Sequence, residues 1–325
     1  MHLLLTHVAP AGPNCQAALA DLQLPQLQTL LRLLGAGQRR TADASSLSPL
    51  SEQLHAESLG LQAADGLLPW AALDAARLQL PPAPASHGWA WITPCEWEVH
   101  SDHVSMCDPQ TLALDASESD TLLQAMRAYF AEDGLALYPG NQPGRWLACG
   151  AALKDLPTAA LARVSGASVD RWLCRQPQAR ALRRLQNEMQ MLLYTHPVNT
   201  ARAADRRPLV SSFWVSGTGT LAPEQHASAS ASTTSVTDVA SPRLVDRLSA
   251  CARTDDATGW YQTWQALDQE YIAPLLQAAR QGNAVQLTLC GDQAAQQIRG
   301  AAPGFWQGLQ HRWHAPDPKT LLRSL

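Results

Sequence analysis

Met1-His2-Leu3-Leu4-Leu5-Thr6-His7-Val8 opens the chain and reads as a first β-strand. The run Ala9-Pro10-Ala11-Gly12-Pro13-Asn14 then turns the backbone. Leu19, Leu22, Leu27, Leu30, Leu31 and Leu34 follow at near-helical spacing, closed by Gly35 and Gly37, with Pro25 dividing the stretch into two short helices. Near the other end, a long helical stretch at 259–281 leads into the strand Ala284 to Leu289. Strands and helices alternating at both ends predict an α/β fold with a mostly parallel sheet, flanked by helices and built from the N- and C-terminal segments.

The middle of the chain is different. Residues 38–50 read as a polar loop, and a short helix at 51–59 is capped by Ser51. The Pro-rich stretch at 80–88 is a stiff linker. Trp89, Trp91, Trp97, Val104 and Met106 alternate with small or polar residues around a Ser101-Asp102 turn, which predicts a hairpin. A helix capped by Asp115 or Ser117 runs to Ala131, and a second hairpin pairs 135–138 with 145–148. The strongest helical pattern spans 177–194, with Leu182, Leu185, Met189, Leu192 and Leu193 on one face. A strand at 208–215 ends in Ser216-Gly217-Thr218-Gly219. Residues 222–242, rich in Ala, Ser and Thr, read as a flexible loop, and 243–252 as a helix. The expected organisation is a core of 1–80 and 205–325 with an inserted α+β region at 89–204.

The 325 residues include 24 basic and 28 acidic side chains, a net charge of −4. With 46% apolar and 16% charged residues, wholesale disorder is excluded, as is nucleic-acid binding driven by net charge. Only Lys154 and Lys319 are lysines. The seven cysteines form no C-x-x-C pair, which argues against a zinc site and for small buried hydrophobes. No membrane span or signal peptide is visible, so the expectation is a cytoplasmic protein without a membrane partner.

Four groups carry the chemistry. Asp102-His103 is a candidate metal pair set in a hairpin turn, where Asp commonly satisfies its own backbone. His196-Pro197-Val198-Asn199 with Arg202 follows the strong helix; Pro197 explains the helix stop, but Asn199 and Arg202 keep a binding role open. Arg180, Arg183 and Arg184 form an anion or partner face, or else a solvated one. Ser216-Gly217-Thr218-Gly219 either cradles an anion or is a plain turn, since no helix follows it directly.

The segment Arg183–Asn199, with Arg202, Pro208 and Ser212-Phe213-Trp214-Val215-Ser216-Gly217-Thr218-Gly219, resembles the RpfE-type regulatory protein family of proteobacteria. Trp91-Ile92-Thr93-Pro94-Cys95, Asp102-His103-Val104, Glu132-Asp133-Gly134 and Gly144-Arg145-Trp146 extend the resemblance over about residues 89–220. That family in turn is similar to archaeal-type cofactor-independent phosphoglycerate mutases of the alkaline phosphatase superfamily, through His196-Pro197-Val198-Asn199-x-x-Arg202 and Leu24-Pro25-Gln26-Leu27. The resemblance implies an alkaline-phosphatase-like core and, in working members, two divalent ions held by Asp and His around a Ser or Thr nucleophile. The chain departs from that pattern. Ala9–Pro13 holds no carboxylate, Cys290-Gly291-Asp292-Gln293 stands where an Asp-His pair belongs, and Ser216 stands where an Arg precedes Gly-x-Gly.

The first expectation is therefore a non-catalytic regulatory protein without cofactor that binds a protein partner or a phosphorylated metabolite. Its candidate ligand-binding residues are His196, Asn199, Arg202 and Ser216, Gly217, Thr218, Gly219. The alternative is a Mn- or Zn-dependent mutase or phosphatase with rearranged ligands drawn from Asp102, His103 and Asp292. A nucleic-acid module using the Arg face is a third possibility, not favoured.

Overall fold

The structure, a computed structural model, describes residues 1–10, 12–231, 242–301 and 316–325. It is an α/β protein of two compact units, one holding residues 1–45, 49–60 and 237–325 and the other 46–48 and 61–236.

The first unit begins with β1 (His2–Leu5), α1 (Pro13–Leu19), α2 (Pro25–Leu34), β2 (Gln38–Thr41) and α3 (Leu50–Ser58). The second contains α4 (Trp70–Arg77), β3 (Gly88–Cys95), β4 (Trp97–Val99), β5 (Val104–Met106), α5 (Ala116–Glu132), β6 (Ala136–Gln142) and β7 (Arg145–Gly150). It continues through α6 (Leu161–Val164), α7 (Arg180–Tyr194), α8 (Pro197–Ala204), β8 (Ser212–Gly219) and α9 (Pro223–Ala231). The chain returns to the first unit with β9 (Arg243–Val245), α10 (Ser249–Thr254), α11 (Ala257–Leu267), α12 (Ala273–Arg280), β10 (Val285–Cys290), β11 (Ala294–Gly300) and α13 (Pro318–Ser324).

The first unit's sheet has the order β2-β11-β10-β1-β9. β1 runs parallel to β10 and β9, while β11 is antiparallel to β10 and β2. Alternation along β1 sends Leu3 and Leu5 into one core with α1, α2, α11 and α12, and Leu4 to the opposite face against Leu50 and Leu54 of α3. Segments from both chain ends thus share one sheet, as the sequence predicts. The second unit holds the antiparallel sheet β6-β7-β3-β8 and the β4–β5 hairpin. Asp115 caps α5 in a full capping box with Glu118.

Several elements differ from expectation. β2 lies inside the supposed polar loop; it is an edge strand, exposed along most of its length, so no apolar alternation marks it. Residues 243–252 begin as the strand β9, because pairing with β1 outweighs the helix-like spacing of Leu244, Val245 and Leu248. α3 starts after Pro49, not at a Ser51 cap. The supposed loop at 222–242 contains α9, and its residues 232–241 lie outside the described ones. The sequence boundaries at 80–89 and 204–205 both fall within the second unit, where β8 pairs along β3. Among the described residues, no helix is long and apolar enough to cross a membrane.

Candidate functional site

In an open sheet with parallel strands, ligands are taken up at the carboxyl ends of those strands. Here the ends of β1, β9 and β10 are held together by Thr6 N–H to Val245 O at 3.2 Å and Val8 N–H to Cys290 O at 3.1 Å. Thr6, His7 and Asp246 stand at this edge. Asp246 Oδ1 accepts from the Thr6 hydroxyl and lies 2.8 Å from His7 Nδ1. Burial raises the Asp246 pKa, but the bonds from His7 and Thr6 and the charge of His7 bring it below the ordinary carboxylate value. An ionised carboxylate can only accept, so Nδ1 of His7 is the donor in this pair. His7 itself sits at φ 53°, a left-handed conformation that costs a non-glycine residue about 1 kcal/mol. The sequence reading missed Asp246 because it lay in a presumed helix.

The next feature lies at the start of α1. Asp255, contributed by the loop after α10, accepts from Asn14 N–H at 3.0 Å and Cys15 N–H at 2.9 Å. These bonds, the one from Cys15 foremost, lower its pKa. A helix start ordinarily favours a thiolate. Here the Cys15 thiol is pushed up to about 12, by burial first and then by its hydrogen bond to Asp255 and that residue's charge. After β10, Gln293 and Ala294 each donate a backbone N–H to Leu325 O at 2.8 Å. Gly291 admits this approach: a Cβ there would lie 2.5 Å from the Leu325 carbonyl carbon.

The His196–Arg202 group is brought together, but through internal bonds. His196 is the N-cap of α8, its Nδ1 accepting from Val198 N–H at 3.2 Å. Asn199 donates to Leu193 O at 2.8 Å and Val210 O at 2.7 Å and accepts from Val210 N–H at 3.0 Å. Arg202, fully buried, bonds through all three nitrogens: to Pro208 O at 2.7 Å, to Glu118 at 2.8 Å and to Leu112 O. Asn199 and Arg202 therefore turn their polar atoms inward and fasten α8 to α7, α5 and the approach to β8.

Burial lowers the His196 pKa from its ordinary value. Only the neutral ring can accept at Nδ1, and the helix N-terminus also disfavours the cation. The capping contribution is thus complete above about pH 6.5 and is lost as pH falls through the lowered value. His196→Asn keeps a capping side chain without the titration. Its unfolding midpoint in urea is expected to depend less on pH between 7 and 5 than that of the wild type; equal slopes would refute the role.

Ser216-Gly217-Thr218-Gly219 lies within β8, paired across a register shift between Trp89 and Trp91. Gly217 takes φ 63°, and a Cβ there would lie 2.7 Å from the Trp91 ring, so this is a glycine bulge. Ser216 and Thr218 are buried. Thr218 Oγ1 stands 2.9 Å from Gly66 O, 2.7 Å from Leu156 O and 2.9 Å from Thr158 Oγ1.

On the Arg face, Arg183 donates to Cys174 O at 2.7 Å, Arg184 pairs with Asp133 and Glu188, and Arg180 is exposed. Asp102 and His103 form an exposed pair at 2.7 Å in the β4–β5 turn, with the His103 ring stacked on His100 at 4.5 Å. Asp292 belongs to the first unit, between β10 and β11. Among the described residues, no group of three or more His, Cys, Asp or Glu side chains is arranged to hold a metal ion.

No family model matches the chain, and no curated protein matches it. Solved structures do. A cofactor-independent phosphoglycerate mutase from Thermoplasma acidophilum is 13% identical, with 93% of this chain and 90% of that one covered and a TM-score of 0.38. A protein from Pyrococcus horikoshii is 12% identical, with 92% and 87% covered and a TM-score of 0.42.

Proposed function

We propose that the chain is a non-catalytic regulatory protein of the RpfE type, distantly akin to phosphoglycerate mutases, which binds a protein partner or a phosphorylated metabolite. The observation that carries the non-catalytic part of this reading is Asp255 at the start of α1. Free amides at a helix start just past a strand end make a ready site for a phosphate. Here the chain's own carboxylate takes those of Asn14 and Cys15. It would repel a phosphate, and with burial it keeps Cys15 a thiol rather than a nucleophile. The seven free cysteines suit a reducing compartment, so we place the protein in the cytoplasm.

Chelator-stripped protein titrated calorimetrically with Mn²⁺ and Zn²⁺ is expected to show no pair of tight sites, with phosphoglycerate and aryl phosphate turnover at background. Two tight sites per chain, or turnover that saturates with substrate, would overturn the reading.

One observation favours the catalytic alternative. His7, oriented by Asp246, has the form of a general base. If Mn or Zn restores turnover, His7→Gln separates the possibilities, since a base at this position must lose that turnover.

A further inference from the structure

The second unit holds an open-sided cavity of about 590 Å³ between α4, the 82–87 stretch, β3 and the start of α9. That volume is in the range of small-molecule sites, about 300–1,000 Å³. Its walls are apolar and flat: Trp89, Pro82, Pro84 and Leu221. Trp89 is fixed in place, buried in β3 and tilted against Tyr138 at 5.6 Å.

The titratable side chains are all basic. Lys154, His87 and His226 line the cavity beside Thr220, and among the described residues no Asp or Glu does. Lys154 is one of only two lysines in the chain, and among the described residues it makes no ion pair. Its position is built. A Cβ on Gly88 would lie 2.6 Å from Leu153 O and 3.0 Å from Lys154 N, so the glycine lets β3 approach the backbone that carries the lysine. His226, in the first turn of α9, buries its Nε2, which has no hydrogen-bond partner among the described residues. A buried polar nitrogen left unpaired costs about 1–3 kcal/mol, which a ligand oxygen would recover. His87 has its Nδ1 held by Ser86 at 2.9 Å.

We propose that this cavity binds a small organic anion: a flat apolar body packs against Pro82, Pro84 and Leu221 beside the buried Trp89, and one carboxylate or phosphate group meets Lys154 and His226. Cation and imidazole select the anionic oxygens, and the walls select an apolar scaffold over a bare ion. The site is made by the second unit's own elements, so it stands however the strand ends of the first unit are read.

The test uses the full chain and three probes of one shape, titrated by calorimetry: 2-naphthoate, 2-naphthyl phosphate and neutral 2-naphthylmethanol. At least one anion is expected to bind about tenfold or more tightly than the alcohol, the value of one charge-assisted hydrogen bond. The stronger of the two anions identifies carboxylate or phosphate as the natural group. Lys154→Met is expected to erase the preference while leaving the alcohol's affinity and the melting curve as they were. His226→Leu should reduce anion binding as well, and Lys319→Met, the same charge change in the other unit, should not. Equal affinity for all three probes would overturn the proposal. So would failure of the wild type to bind any, or an anion preference that survives Lys154→Met.

Discussion

Replacing Glu118 with alanine is expected to destabilise the second unit by about 3–5 kcal/mol, the usual result of leaving a buried charge unpaired. Glu118 joins three segments. Its Oε2 accepts from Arg202 at 2.8 Å and Arg207 at 3.0 Å, and its Oε1 accepts from Arg207 at 2.9 Å. It also closes the capping box at the start of α5. Arg202 is wholly buried and Arg207 is partly exposed, so without the carboxylate Arg207 can turn to water but Arg202 cannot. Arg202→Met should cost less, about 2–3 kcal/mol, because it removes the buried cation and leaves only the Pro208 and Leu112 carbonyls without their donor. The double variant should be milder than the sum of the two. Urea unfolding followed by tryptophan fluorescence measures all three. If Glu118→Ala falls within 1 kcal/mol of wild type, the network does not hold the unit together.

The same residues show what was legible in the sequence. Leu3–Leu5, the leucine spacing of α2 and the strand at 285–290 declare themselves through burial, and burial is written in periodicity. The start of α5 was narrowed to Asp115 or Ser117 because caps are local, and the capping box with Glu118 selects Asp115. Arg202 and Asn199 did not declare their use. The partners of Arg202 include Glu118 and Leu112, 84 and 90 residues away, so from sequence alone a buried tether and a ligand clamp look the same. Ser216–Gly219 misled for a related reason: a glycine pair after a strand fits an anion loop, and only the register against Trp89 and Trp91 shows it to be a bulge. His7 was visible as a histidine, but its partner stands 239 residues on, just past a three-residue strand too short to carry a pattern. The cavity was hidden because Lys154, His87 and His226 come from three separate elements.

Asp268→Ala is the second large effect, expected to cost the first unit about 2–4 kcal/mol. α2 starts at Leu24-Pro25 and has no capping side chain of its own. Its first free amides, Gln26 N–H and Leu27 N–H, go to Asp268 Oδ2 at 3.0 Å and Oδ1 at 2.9 Å. That carboxylate is 1% exposed. Alanine would leave both amides buried without acceptors. Asparagine should also be costly, because its amide group offers one oxygen to two donors and sets an N–H against the other. Burial raises the Asp268 pKa despite the two bonds, so the folded state binds this proton more tightly than the unfolded one. The sign follows. The wild-type advantage over Asp268→Ala is greatest at low pH and shrinks as pH rises from about 4 through the raised value, then levels off. Denaturant midpoints for the two proteins from pH 3.5 to 7.5 test this, and an advantage that grows with pH would contradict the assignment. The arrangement also couples the two ends of the chain, since α2 completes its first turn only when the turn after α11 is in place.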